Sequence, residues 1–155
     1  LEAAVARYGA AGARIVLNLT DREIIIAARP AIERVMKQKI DFIIGNIGEL
    51  FTLFDVHDMA LAFARAHETG KNFIITNGSD GAYILRGGQV IHVPGVTLPA
   101  HRIVNTVGAG DQFAAGFVAG VATGLDWEEA CRQGIDAATA IIQDTGARPR
   151  MNKAV

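Results

Sequence analysis

Continuous apolar runs alternate along this chain with stretches whose apolar positions recur every three or four residues. Residues 14–19 (Arg-Ile-Val-Leu-Asn-Leu) predict a buried strand. Residues 21–39 predict a helix with Asp21 as N-cap, kinked or divided at Pro30. A second strand is expected over 40–44, ending at Gly45 and Asn46, followed by a short helix over 48–54 and a longer one over 55–68 closed by Gly70. Residues 72–76 read as a third strand. Residues 82–86 and 89–93 flank Gly87-Gly88, a strong hairpin signal. A helix rich in small residues spans 107–123 and ends at Gly124; Asp126 then caps the last long helix, with Glu129 completing a capping box.

Strands without polar alternation, separated by helices, specify an α/β fold with a mostly parallel sheet covered on both faces. Ligands of such sheets bind beyond the carboxyl ends of the strands. The residues of chemical interest fall there: Asn46 and Glu49 after the second strand, and residues 76–81 after the third.

Composition adds little that changes this picture. The chain has 155 residues, enough for one domain with a core, and a formal net charge of -1. No basic excess points to nucleic acid or to an anionic membrane. Apolar stretches break well short of a membrane span. A single cysteine, Cys131, excludes an internal disulfide and fits a reducing cytoplasm. The four histidines share no metal-ligand spacing with each other or with Cys131. Phe113 and Phe117, at i and i+4, are expected in the core, Trp127 packs at its helix start, and Cys131 reads as a small buried hydrophobe.

The strongest chemical feature is Asn105-Thr-Val-Gly-Ala-Gly-Asp111 at a helix start. Gly108, Ala109 and Gly110 let a phosphate approach the backbone closely, where the first-turn amides and the helix dipole favour negative charge. Asp111 beside that anion site can accept the proton of an attacking hydroxyl. By residue type alone, a tight turn followed by an ordinary first-turn aspartate fits equally well. No Walker lysine follows, and Phe113 stands where a dinucleotide fingerprint requires glycine.

Residues 105–118 resemble the second conserved motif of the ribokinase-like (PfkB) carbohydrate kinases, Asp-Thr-x-Gly-Ala-Gly-Asp. The resemblance implies that the amides of Gly108, Ala109, Gly110 and Asp111 form an anion hole and that Asp111 is the catalytic base. Asn46-Ile-Gly-Glu49 is similar to the family's Asn-x-x-Glu motif, which implies that Asn46 and Glu49 help to hold Mg2+ and the phosphates; taken alone, the pair reads as a helix cap. Thr76-Asn-Gly78-Ser-Asp-Gly81 resembles the family's Thr-x-Gly-x-x-Gly loop beside the nucleotide and otherwise reads as a turn. Residues 126–147 look like the family's final helix pair, which makes Ile135 and Ala138 candidates for contact with adenine; plain core packing is the competing reading. Residues 145–148 resemble a segment that binds a K+-like ion in some members, but the neutral Asn105 weakens such a site.

The resemblance covers residues 14–150 and implies a three-layer α/β/α ribokinase-like fold, incomplete at the N-terminus, with 1–155 as a single nucleotide-binding and catalytic domain. It further implies an ATP-dependent kinase acting on a hydroxyl of a sugar or nucleoside, cytoplasmic, with a homodimer expected of the full-length protein. Family members are roughly twice as long, so the expectation is that this segment alone has little activity. Two other readings stand beside this one. The chain is a nucleotide-binding module without catalysis, or it is a generic α/β domain binding another phosphorylated metabolite.

Overall fold

The computed structural model describes residues 2–144. Five strands form one sheet in the order β1-β2-β3-β4-β5. The first three are β1 (Val16–Asn18), β2 (Phe42–Asn46) and β3 (Phe73–Thr76). They are parallel, with Val16 opposite Phe42 and Asn46 opposite Thr76. Four residues join β3 to β4 (Gly81–Arg86) and two join β4 to β5 (Gln89–Pro94). Neither connection is long enough for a parallel crossover, so both make antiparallel neighbours. Gly87 (φ 57°) and Gly88 (φ 79°) supply the two positive φ angles that a tight hairpin of matching twist requires.

The chain forms two compact units, one of Leu1–Asn77 with Tyr83–Ile91 and one of Gly78–Ala82 with His92–Val155. In the first, α1 (Glu2–Ala10), α2 (Arg22–Met36), α3 (Ile47–Phe54) and α4 (Met59–Glu68) accompany the strands. Ile43, Phe73, Ile75 and Leu85 on one face of the sheet share a core with Ile25, Val35, Leu50, Leu53 and Ala66 from the helices. Each fully buried Leu, Ile or Phe contributes about 1.5–3 kcal/mol. Phe42, Ile44, Ile74 and Ile84 on the opposite face are buried too. That explains why these strands read as unbroken apolar runs.

In the second unit, α5 (Ala109–Ala122) packs on α6 (Trp127–Ile141) through residues without side-chain bulk. A Cβ on Gly116 would lie 2.9 Å from the Gly134 Cα, and one on Gly134 would lie 2.7 Å from the Phe113 carbonyl oxygen. The two helices therefore approach backbone to backbone. Phe113 and Phe117 are buried and stacked at 6.4 Å, with Trp127 edge-on to Phe117 at 6.4 Å, as expected. Cys131 is buried, and burial pushes its thiol up to about 12, so it is an inert packing group.

Several boundaries differ from the sequence reading. Helix α2 continues through Pro30 without division, because the ring's missing N–H costs only one bond on an exposed stretch of the helix. Residue 55 does not open a helix. Asp55 adopts a left-handed conformation (φ 56°) that ends α3, and Asp58 caps α4 instead. Strand β2 runs on to Asn46 because its pairing with β3 extends that far. A 3-10 turn at Ala100–Arg102 was not anticipated.

Candidate functional site

In the first unit the chemistry gathers at the carboxyl ends of β2 and β3. Asn46 is both the last residue of β2 and the N-cap of α3. Its Oδ1 accepts from the Glu49 amide at 2.9 Å, while Glu49 Oε2 accepts from the Asn46 amide at 2.9 Å. Glu49 Oε1 also accepts from Asn46 Nδ2 at 2.6 Å. The pair is thus a reciprocal capping box that fixes both side chains, as the helix-cap reading of these residues expects.

Glu49 is half-buried, and desolvation raises its pKa above the ordinary 4.5; the hydrogen bonds from Asn46 and the charge of Arg22 pull it back down. Thr76 stands beside Asn46 in the parallel register, its hydroxyl 3.4 Å from the Gly45 carbonyl oxygen. Gly45 leaves room for Glu49: a Cβ there would be 3.0 Å from Glu49 Oε2.

The carboxylate offers about four lone-pair positions, and two are used, so a cation can still be accommodated. Among the described residues no group of three or more His, Cys, Asp and Glu side chains comes together. One half-buried carboxylate with an amide oxygen beside it is a poor cage for calcium or zinc. It fits magnesium, which retains waters and takes further oxygens from phosphates.

In the second unit, residues 78–80 form a 3-10 turn whose Gly78 has a positive φ of 56°. The turn is tied to the end of β5: the Gly95 amide donates to the Asp80 carbonyl at 3.1 Å, and His92 Nε2 lies 2.8 Å from the same oxygen. Gly81 (φ 105°) is buried, and a Cβ there would collide with the Val93 carbonyl and the Gly95 amide. Its glycine is therefore required by the close approach of two backbone segments, a constraint the motif alone did not reveal.

Gly108 takes a left-handed conformation (φ 83°) as the N-cap of α5 and provides no side-chain cap. Ala109 donates to the Thr106 carbonyl, and Asn105 Oδ1 accepts from the Val107 amide at 2.9 Å, which braces the turn. The next amides, of Gly110 and Asp111, belong to the first helical turn, where no carbonyl precedes them in the helix. Gly110 and Asp111 are exposed, and a Cβ on Gly110 would meet nothing within 4 Å. The amides of Val104 and Asn105 both donate to the Ile142 carbonyl, at 2.8 and 3.2 Å, fastening the approach to the turn onto the end of α6. On α6, Ile135 is buried and Ala138 half-buried. Residues 145–148, read as a monovalent-cation segment, and with them the last residues of the 126–147 stretch read as a helix pair, lie outside the described residues.

The chain matches the pfkB family carbohydrate kinases over residues 1–154. It belongs to that family. This pfkB chain is 27% identical over 141 residues to the 2-dehydro-3-deoxygluconokinase of Escherichia coli K12, covering 88% of itself and 46% of that protein. Its fold is similar to the adenosine kinase of Sinorhizobium meliloti, with a TM-score of 0.89 and 27% identity over 96% of this chain and 45% of that one. It is also similar to the Arabidopsis thaliana ribokinase solved with ribose and ATP, with a TM-score of 0.70 and 25% identity over 88% and 43%. The α/β fold is ribokinase-like, as expected. The pfkB chain spans less than half the length of each of these proteins.

Sequence reasoning overlooked Arg22 and Gly48. Gly48 is buried in the first turn of α3, and a Cβ there would run into the Arg22 guanidinium, 3.1 Å from its Cζ. No spacing signals this pair, because it joins the starts of two different helices.

Proposed function

We propose that the protein transfers the γ-phosphate of ATP to a hydroxyl of a sugar or nucleoside. Membership of the pfkB family supports the reaction class. The single observation that carries the residue assignment is the start of α5. There a left-handed glycine without a capping side chain leaves backbone donors open beside an exposed aspartate.

In this reading Asp111 accepts the proton of the acceptor hydroxyl as its oxygen bonds to the γ-phosphorus and ADP leaves. The amides of Gly108, Gly110 and Asp111 hold the phosphoryl oxygens, offering fixed donors where charge is redistributed, whereas the Ala109 amide, expected in the anion hole, is engaged by the Thr106 carbonyl and braces the turn. Thr76, Gly78 and Gly81 line the nucleotide loop, and Ile135 and Ala138 contact the base. Asn46 and Glu49 would hold Mg2+, which when bound neutralises phosphate charge; the capping box keeps their oxygens oriented in its absence.

The test is Asp111→Asn in the protein as its gene encodes it. Nucleotide affinity should stay near the parent value while kcat falls by about 10²–10⁴-fold, the usual contribution of a positioned base. Near-parent turnover would remove Asp111 from the role. A second reading, a nucleotide-binding module without catalysis, draws support from Asn105 at a position where the family motif has aspartate. It requires the parent protein to bind ATP yet phosphorylate no sugar or nucleoside.

A further inference from the structure

Arg22 opens α2, three residues beyond Leu19, whose side chain lines Gly45 at the end of β2. Its guanidinium lies against Gly48, close enough that a side chain there would collide with Nη2 and come within 3.1 Å of Cζ and 3.3 Å of Nε. Its charge reaches Glu49. Among the described residues the guanidinium has no hydrogen bond and no ion pair within bonding distance. Each Glu49 oxygen accepts one hydrogen bond from Asn46.

Arg22 is exposed, so its five N–H donors are open to solvent and to a ligand rather than bound to a protein acceptor. The cation lies at the first turn of α3, the positive end of that helix's dipole. Gly48 occupies a helical position where alanine would be about 1 kcal/mol more favourable. Apart from its attraction to Glu49 the guanidinium has no partner among the described residues, and a dianionic oxygen group beside Asn46 and Glu49 would engage its donors.

We infer that Arg22 is a phosphate-contacting residue, whose guanidinium, kept in place by the absent side chain of Gly48, binds non-bridging oxygens of the nucleotide's phosphate chain. The inference rests on the kinase reading above and adds to it a charged ligand from α2. Guanidinium suits the task because its planar fork can engage two phosphate oxygens at once.

Two variants test it by different routes. Arg22→Met removes the charge and keeps the stem. Gly48→Ala keeps the charge but pushes the guanidinium off its seat, and it should not lower stability because the group displaced is the flexible end of a side chain. Binding of a non-hydrolysable ATP analogue with Mg2+, measured by calorimetry, should weaken about ten- to a hundredfold in Arg22→Met, the range for a hydrogen bond to a charged group. Gly48→Ala should weaken it in the same direction, and Arg22→Lys should restore part of the loss. The acceptor's KM should be unaltered in all three, and the double variant should be no weaker than Arg22→Met. Nucleotide affinity within twofold of the parent in Arg22→Met, with both variants folded, would overturn the inference. If Asp111→Asn abolishes turnover in the same preparation, the kinase reading survives that failure; if the parent does not bind the analogue, the kinase reading itself has failed.

Discussion

Gly110→Ala separates the two demands placed on the start of α5. Gly110 is the second helical residue and carries no left-handed backbone, so alanine can occupy its conformation. Nothing lies within 4 Å of the position a Cβ would take, so no packing is disturbed. Gly→Ala at a compatible helical site stabilises by about 0.4–1 kcal/mol, mainly by restricting the unfolded chain. For a chain of this size that is roughly 1–4 °C in Tm. The new methyl group, however, stands beside the open amides of the first turn, where on the proposed function a phosphoryl oxygen comes within about 3 Å of a donor. The variant should therefore melt higher than the parent while its affinity for ATP drops at least tenfold, or about 1.4 kcal/mol. Thermal denaturation followed by circular dichroism gives the first quantity, and calorimetric titration with the ATP analogue gives the second. A variant that is more stable and binds ATP as the parent does would refute the close approach of phosphate to this turn. A variant that is less stable would refute the claim that the position is open.

Two further outcomes follow from the geometry. Gly134→Ala forces a methyl group against the Phe113 carbonyl, 2.7 Å away, and against the Phe113 ring. Backbone must move, and the overpacking cost of about 1–3 kcal/mol should exceed the gain in helix propensity, lowering the urea midpoint; an unchanged midpoint would mean that α5 and α6 separate freely. For Glu49, burial raises the folded-state pKa, so its contribution to stability is complete below the unfolded value and is lost as pH rises through the folded one. Glu49→Gln lacks that dependence. Urea titrations between pH 4 and 7 should show Gln gaining on the parent as pH rises, and the opposite trend would contradict the desolvation of this carboxylate.

Much of the fold was legible because its signals are local. Gly87-Gly88 marks a turn that needs two positive φ angles, and Asp126 with Glu129 marks a helix start through contacts only three residues apart. The Gly-Ala-Gly-Asp turn was legible for the same reason: its left-handed residue and its open amides lie within one short segment. Boundaries failed where a residue acted against its type. Asp55 entered a left-handed conformation that glycine usually fills, so the break between α3 and α4 carried no glycine to mark it. Pro30 stayed inside α2 because the surrounding burial of Ile25, Ile32 and Val35 outweighs one missing hydrogen bond.

The sequence by itself determined the order of strands and helices, the caps, the turn at Gly108 and the family to which the chain belongs. All of these depend on residues near one another in the chain or on motif identity. Only the tertiary structure decided why three glycines are where they are. Gly81 meets the backbone of Val93 and Gly95, Gly134 meets Phe113, and Gly48 makes way for Arg22. Each of these is a collision avoided between segments distant in sequence. A glycine's missing side chain carries no mark of which neighbour it spares, so that information exists only once the segments are packed.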